Sequence, residues 1–384
     1  MVKFTLVKRR PRSRGHRAIY YCRIRTDDGR SVSWRSTGER EKPKALQWAM
    51  SRLKTGGFVS ENITFAKFAE GWWQPECEWV RRQEARGREY SPRYLESNRT
   101  ALAQHILPAF GAVKLGKITP AAVEDFVFRL RDKEGLSPST ANKSLVCLRL
   151  MLAEAERKGM VERNPAFRVK QLVARPKQRG ILSAEETHIL FAENTIESVW
   201  RGNVVAYAIN LLALNTGMRL GECEALQVQH THLDGDTPYV AVVYGYSRKY
   251  GLTKPKFNES RLIPVPPRVV RYLRLLIDRS PYRDNPETFV FHNTKAGGLT
   301  PLDNNTIIKF LHSALDSIGV DWKARNVCFH SWRHEFNSFA RFRLPDFVVR
   351  ALTGHRSEQM TDHYTHITLA DLGGVKTVQE ALLE

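Results

Sequence analysis

The sequence predicts a multidomain α+β chain. A small N-terminal three-stranded sheet plus a helix comes first, then a helical bundle, then a mixed, mostly helical C-terminal domain with a small β-sheet. Three observations carry this expectation. The chain has 384 residues, more than one hydrophobic core usually serves. Its apolar pattern changes character twice, from short β-branched and aromatic runs to helical periodicity near residue 62, and to a mixture beyond residue 182. Helix-start signals recur through the middle third, while none of solenoid period repeats.

The first segment, 1–58, offers "FTLVKRR", "AIYYCRIR" and "SVSWRSTG" as strands, the last two joined by the turn "TDDGR". "KPKALQWAMSRLKTG" follows as a helix, with Leu46, Met50 and Leu53 expected on its buried face and Gly56-Gly57 ending it. The second segment, 62–172, reads as four helices with short connections. Thr64, Ser91-Pro92 and Thr119-Pro120 are N-cap signals, and Gly159 is a C-cap after "SPSTANKSLVCLRLMLAEAERKG". Residues 169–182, "VKQLVARPKQRGIL", lack periodicity and read as an interdomain linker. The third segment, 180–384, begins with helices, passes through strand-like "PYVAVVYGYS" and "SRLIPVP", and returns to helices.

Charge points to a partner. Lys and Arg number 60 against 40 Asp and Glu, a net charge of +20, with a pI near 9.9. A polyanion is the expected ligand, and no apolar helical face supports a membrane surface in its place. The excess is concentrated: residues 1–58 hold sixteen Lys and Arg against four Asp and Glu. Arg23, Arg25, Arg30 and Arg35 decorate the strands, so one face of the small sheet is expected to enter a groove of DNA. In the second segment Arg93, Arg99, Lys143 and Arg149 are candidates for phosphate contacts on exposed helix faces. The apolar runs are too short to span a bilayer, and the basic start "MVKFTLVKRRPRSRGHR" has no signal-peptide core after it. Five scattered cysteines form neither a metal pair nor a disulfide framework. A cytoplasmic, nucleoid-associated protein is expected.

Four separated stretches bear on chemistry. "ALNTGMRLGECEAL" sets Arg219 and Glu222 three apart at a helix start, where the carboxylate can hold the guanidinium. "TKPKFNESRLIPVP" reads as a β-hairpin turning at "FNES", with Lys254 and Lys256 on its first strand. "FHSWRHEFNSFA" places His330 and Arg333 on one helical face. "LTGHRSEQMTDHYTH" supplies His355 and, nine residues later, Tyr364. Singly each has a plain reading: a surface ion pair, a solvated lysine, a chance His-x-x-Arg, a half-buried tyrosine. In order they run Arg, Lys, His-x-x-Arg, His, Tyr over about 145 residues.

That order, with "TGMRLGE", "HSWRH" and "LTGH" before a tyrosine, resembles the tyrosine recombinases, the phage-integrase family. The resemblance covers the whole chain. It implies an arm-type DNA-binding domain over 1–58, a core-binding domain over 62–172 and a catalytic domain over 180–384. It also implies a site-specific recombinase that integrates and excises a mobile or viral element as a homotetramer. Its partners would be double-stranded DNA at core and arm-type attachment sites and accessory DNA-bending or directionality proteins. Tyr364 would end joined to a 3′ phosphate. Because that bond conserves phosphodiester energy, no cofactor, neither ATP nor metal, is expected.

The residue types suit the task. Two arginines, Arg219 and Arg333, can fork onto non-bridging oxygens, which a lysine cannot do bidentately. A tyrosine hydroxyl, with a pKa of about 10, needs a base or cationic surroundings to attack at neutral pH. His330 is the expected proton acceptor and His355 a hydrogen-bond donor to phosphate. Lys256 is expected to protonate the leaving 5′ oxygen, with Lys254 as substitute; Glu222 supports Arg219. His363 and His366 are read as polar neighbours of Tyr364.

Three rival readings remain. His330, His334, His355, His363 and His366 suggest a metal site, yet Ser331 stands where a metallohydrolase motif needs Glu. A type IB topoisomerase shares the chemistry but does not need a basic arm module. A non-catalytic DNA-binding protein leaves the ordered Arg, Lys, His and Tyr unexplained. After the tyrosine, Val375, Val378 and Leu382 give "VKTVQEALLE" an apolar helical face that must dock. The resemblance implies docking on a neighbouring protomer; docking on its own domain is the alternative.

Overall fold

A computed structural model describes residues 3–9, 18–25, 34–54, 63–175, 179–254, 260–294, 297–354 and 373–383. The chain divides into two compact units, Met1–Arg175 and Pro176–Glu384.

In the first unit, β1 (Lys3–Arg9), β2 (Ile19–Arg25) and β3 (Arg35–Ser36) form an antiparallel sheet in that order. Leu6 faces Cys22 across the first pair, and Phe4 joins them over α1 (Lys42–Lys54). The helix differs from expectation. It turns Ala45 and Ala49 inward, beside a partly buried Trp48, and leaves Leu46 and Met50 exposed. Two alanines on one face let the helix sit close to a small sheet, and this outweighs the burial that bulkier side chains would gain. The basic face is corrected too. Arg35 is paired opposite Cys22 and so shares its side of the sheet, whereas Arg23, the next residue, points to the other. On that other face Arg9 and Arg23 flank Trp34, with guanidinium carbons 4.3 and 5.8 Å from the ring centre. Arg30 and the side chains of Arg25 and Leu53 lie outside the described residues.

The helical part contains α2 (Phe65–Phe68), α3 (Glu78–Glu84), α4 (Pro92–Ala101), α5 (Leu107–Phe110), α6 (Pro120–Asp132) and α7 (Pro138–Arg157). Hydroxyls of Thr64, Ser91 and Thr119 accept the N–H groups of Lys67, Tyr94 and Ala122, as their spacing predicts. α2 lasts one turn, because Gly71 and Trp73 take positive φ and redirect the chain. α3, capped by the Cys77 sulfur, was not anticipated. A π-type turn over Leu102–Ile106 joins α4 to α5. Two candidate phosphate ligands serve the bundle itself: Arg149 donates to the carbonyls of Ala166 and Val169, and Arg99 to those of Trp73 and the Gln74 side chain. Arg93 and Lys143 are exposed.

The second unit is built around α10. α8 (Ala184–Phe191) opens it, with a capping box formed by Ser183 and Glu186, and α9 (Ile196–Val199) follows. α10 (Val204–Thr216) is buried at every position from Ala206 to Thr216, the pattern of a helix sheathed on all sides. It ends on Gly217 in the left-handed region and is followed by α11 (Leu220–Glu224). β4 (Thr231–His232) and β5 (Tyr239–Val242) come next, and β6 (Gly245–Ser247) pairs with β7 (Gly251–Thr253). β8 (Arg261–Pro264) completes an antiparallel sheet of order β4-β5-β8.

The expected hairpin between the lysine segment and "RLIP" is therefore not the pairing observed. β7 turns back on β6 because Gly251, with φ +67°, closes the turn after Ser247. β8 pairs instead with β5, which buries Ile263 against Val240. Lys254 follows β7 and is exposed; Lys256 and most of "FNES" lie outside the described residues.

α12 (Pro267–Arg279), α13 (Asn304–Ser317), α14 (Ser331–Arg341), α15 (Asp346–Thr353) and α16 (Val375–Glu380) complete the unit. For α16, the second of the two docking alternatives is the one seen. It docks on its own domain: Val375 and Val378 join the α10 core, with Leu382 and Leu383 packed against it. The Gln379 amide donates to the carbonyls of Asn215 and Pro264. Two buried carbonyls of this chain thus find their donor in this chain's tail. Among the described residues no helix is long and apolar enough to cross a membrane.

Candidate active site

Three turns of the second unit meet in one place. The first leaves α10 at Gly217, where a Cβ would stand 2.8 Å from the Phe336 ring and 3.3 Å from Thr353. Only glycine fits this left-handed, close-packed turn. Two residues on, Arg219 is the N-cap of α11, and Glu222 sits in the first turn of that helix. The carboxylate accepts the Arg219 backbone N–H at 2.9 Å and its Nη1 at 2.7 Å. The expected ion pair forms, and the backbone bond fixes it to a helix start rather than leaving it on a solvated face.

The second turn is the start of α14. His330 caps it at the surface, and Arg333 lies one turn in, 2 % exposed. Its Nη1 donates to the Gly217 carbonyl at 2.9 Å and its Nη2 to the Thr353 carbonyl at 2.5 Å. The third turn is the end of α15, whose last carbonyls have no helical partner. Thr353 is served by Arg333, and Leu352 by Nε of Arg261 on β8 at 2.6 Å. Arg261 also forks onto Glu222, at 3.2 and 2.5 Å.

Charge here is deliberately unbalanced. Arg219, Arg261 and Arg333 surround a single carboxylate. Burial alone would raise the Glu222 carboxyl, but the two guanidiniums and the Arg219 N–H outweigh it and hold the group below the usual carboxylate range. Burial first, then Arg219, pushes the Arg333 guanidinium down to about 9, still a cation at neutral pH. Partial desolvation, followed by the neighbouring His334, Arg333, Arg179 and Arg219, lowers His330 to about 4. Its imidazole is neutral at pH 7 and can take up a proton. Such a cluster is suited to an anion with two or more oxygens, beside a proton acceptor.

Of the residues singled out in the sequence, Arg219, Glu222, Arg333 and His330 come together. His355 and Tyr364 lie outside the described residues, though His355 directly follows the α15 turn. Lys256 lies outside them as well. The sequence reading missed two members. Arg261 looked like one more strand residue, because nothing near it in sequence discloses a partner 39 residues away. Arg179 sits in the linker, donating to Asn326 and the Cys328 sulfur, and its charge reaches His330. Among the described residues the His330 and His334 rings are 5.2 Å apart, with no third His, Cys, Asp or Glu beside them as a ligand group; His355, His363 and His366 lie outside those residues.

Comparison with known proteins gives the class. Residues 183–370 match the model of the phage integrase family, and residues 78–169 match that of the phage integrase SAM-like domain. A tyrosine recombinase of Thermosipho africanus is 27% identical over 66% of this chain and 82% of its own length. Tyrosine recombinase XerC of Mesorhizobium japonicum is 25% identical over 75% of this chain and 89% of its own. Among solved structures, the Tn1549 transposon integrase in complex with transposon right end DNA superposes with a TM-score of 0.59 at 16% identity, covering 80% of this chain and 97% of that one. A lambda integrase tetramer bound to a Holliday junction gives 0.56 at 15%, covering 89% and 95%. The fold and the two matched regions are those of tyrosine recombinases, enzymes that cut and rejoin DNA strands at specific sites. The chain belongs to the phage integrase family.

Proposed function

We propose that this recombinase integrates and excises a mobile or viral element through a covalent 3′-phosphotyrosine intermediate, working as a homotetramer on DNA. The observation that carries the reading is the pair of arginines, half-buried Arg219 and buried Arg333, next to a neutral His330. A phosphodiester between the two guanidiniums has its non-bridging charge matched before reaction begins, which favours the pentacoordinate transition state. The Tyr364 oxygen attacks phosphorus and passes its proton to His330. The new P–O bond replaces the one to the 5′ oxygen, which leaves with a proton from Lys256. His355 donates a hydrogen bond to the phosphate. Rejoining reverses these transfers, so the chain needs no external energy source. Residues 1–58 serve as the arm-type DNA-binding domain, 62–172 grip the core site, and 180–384 carry catalysis.

Trapping on nicked core-site DNA tests the roles of the two lysines. Lys256→Ala is expected to slow formation of the covalent complex and to recover on a 5′-phosphorothiolate, whose sulfur leaves without a proton. Lys254→Ala should show little of either effect. Rescue of Lys254→Ala in place of Lys256→Ala would move the general acid to the residue that follows β7.

The low pKa of His330 predicts a displaced acid limb. Its folded value of about 4 lies below the ordinary 6.5, so the proton acceptor stays competent as pH falls through 6.5 and is lost nearer 4. Single-turnover cleavage at subsaturating DNA should therefore hold down to about pH 5. At saturating DNA the bound phosphate offsets the arginines, and the limb should move up. An acid limb at 6.5 in both regimes would remove His330 from the proton-accepting role.

A further inference from the structure

Arg261 has three of its N–H donors engaged inside the protein. Nη1 and Nη2 hold the two oxygens of Glu222, and Nε holds the Leu352 carbonyl. Its side chain is 11 % exposed. The Gly354 backbone lies over it, such that a Cβ there would be 3.6 Å from Nη1. The chain segments so joined are distant in sequence, 39 residues in one direction and 91 in the other. Each bond also has a counterpart made by one of the two arginines read as phosphate-binding. Arg219 shares the Glu222 carboxylate, and Arg333 holds Thr353, the carbonyl next to Leu352.

We propose that Arg261 is a positioning residue that sets the spacing of Arg219 and Arg333. It ties the α11 start, through Glu222, to the end of α15, on which Arg333 is braced. With one N–H each of Nη1, Nη2 and Nε held by acceptors inside the protein, Arg261 is placed to act through the other two arginines. A lysine cannot substitute, because a single ammonium cannot grip both carboxylate oxygens in a fork and reach a carbonyl behind it. The inference rests on reading Arg219 and Arg333 as phosphate-binding groups.

The test compares full-length Arg261→Met, Arg261→Lys and Arg219→Ala on nicked core-site DNA. Two scissile links are used: the natural phosphodiester and a methylphosphonate, in which a methyl group replaces one charged oxygen. Both Arg261 variants are expected to cleave the phosphodiester about 30- to 100-fold more slowly, the scale of a misplaced catalytic group. Affinity for the core site should change by less than about threefold. On the uncharged link, where arginine spacing matters less, the loss should shrink to about fivefold or below. Restoration of the wild-type rate by Arg261→Lys would reduce the residue to a source of charge and overturn the proposal. An equal loss on both links, with a lowered Tm, would make it a packing residue and overturn it too. If Arg261→Met does not fold, the Lys variant decides by the same comparison. Arg219→Ala separates the two levels of inference. Wild-type cleavage by that variant would sink the phosphate reading itself, while a slow Arg219→Ala beside fast Arg261 variants would sink only the positioning role.

Discussion

Tyr364→Phe is expected to leave no covalent protein–DNA complex on nicked core-site DNA, while binding of the same DNA stays near that of the wild type. The change removes one oxygen and keeps the ring, so packing around position 364 is disturbed as little as a substitution allows. Loss of a covalent nucleophile typically costs about four to six orders of magnitude in rate, because flanking groups cannot act on an attacking atom that is gone. Arg219, Arg333 and His330 would remain, and with them the affinity for the phosphodiester. The assay is a detergent-stable shift of the labelled strand, followed by identification of the peptide it carries. A shift that persists in Tyr364→Phe, or a DNA-linked peptide lacking residue 364, would reject the assignment.

The second large effect concerns the tail. Deleting residues 373–384 is expected to destabilise the isolated, DNA-free protein. Val375 and Val378 are buried in the α10 core, Leu382 and Leu383 pack on it, and Gln379 serves two buried carbonyls. Fully burying an aliphatic side chain contributes about 1.5–3 kcal/mol, and each orphaned buried carbonyl costs about 1–3 kcal/mol. The sum for the deletion is of order 5 kcal/mol or more, which for a unit of this size is a fall in Tm of about 10–20 °C. Gln379→Ala isolates the polar part and should cost roughly 2–4 kcal/mol. Both effects should be independent of protein concentration, since the seat is within one chain. Thermal unfolding of the free protein decides the matter: a deletion variant that melts with the wild type would mean that the tail is seated on a neighbour in solution.

What could be read in the sequence was local or ordered. Thr64, Ser91 and Thr119 announce helices because a hydroxyl three residues from an N–H is a short-range device, and each is used that way. The Arg219–Glu222 pair could be read for the same reason. What failed depends on partners far along the chain. The α1 face was misjudged because large apolar residues dominate a periodicity count, whereas the sheet accepted two alanines. The lysine hairpin was drawn to the wrong strand because pairing is a choice among neighbours, and Gly251 settled it in favour of β6. Arg261 and Arg179 stayed invisible because a guanidinium declares its role only when the carboxylate, carbonyl or imidazole it reaches is known.

The all-round burial of α10 has a consequence for motion. A helix with no solvent-facing side has no easy local opening, so its amide protons should exchange only when the whole second unit unfolds. Hydrogen exchange should rank Ala208 through Thr216 among the slowest amides, and the exposed turn between β6 and β7 among the fastest. Gly217 and Arg219 hang directly from the slow end of that gradient. The guanidinium thus inherits the stillness of the core, and little ordering is left to be done when a phosphate arrives.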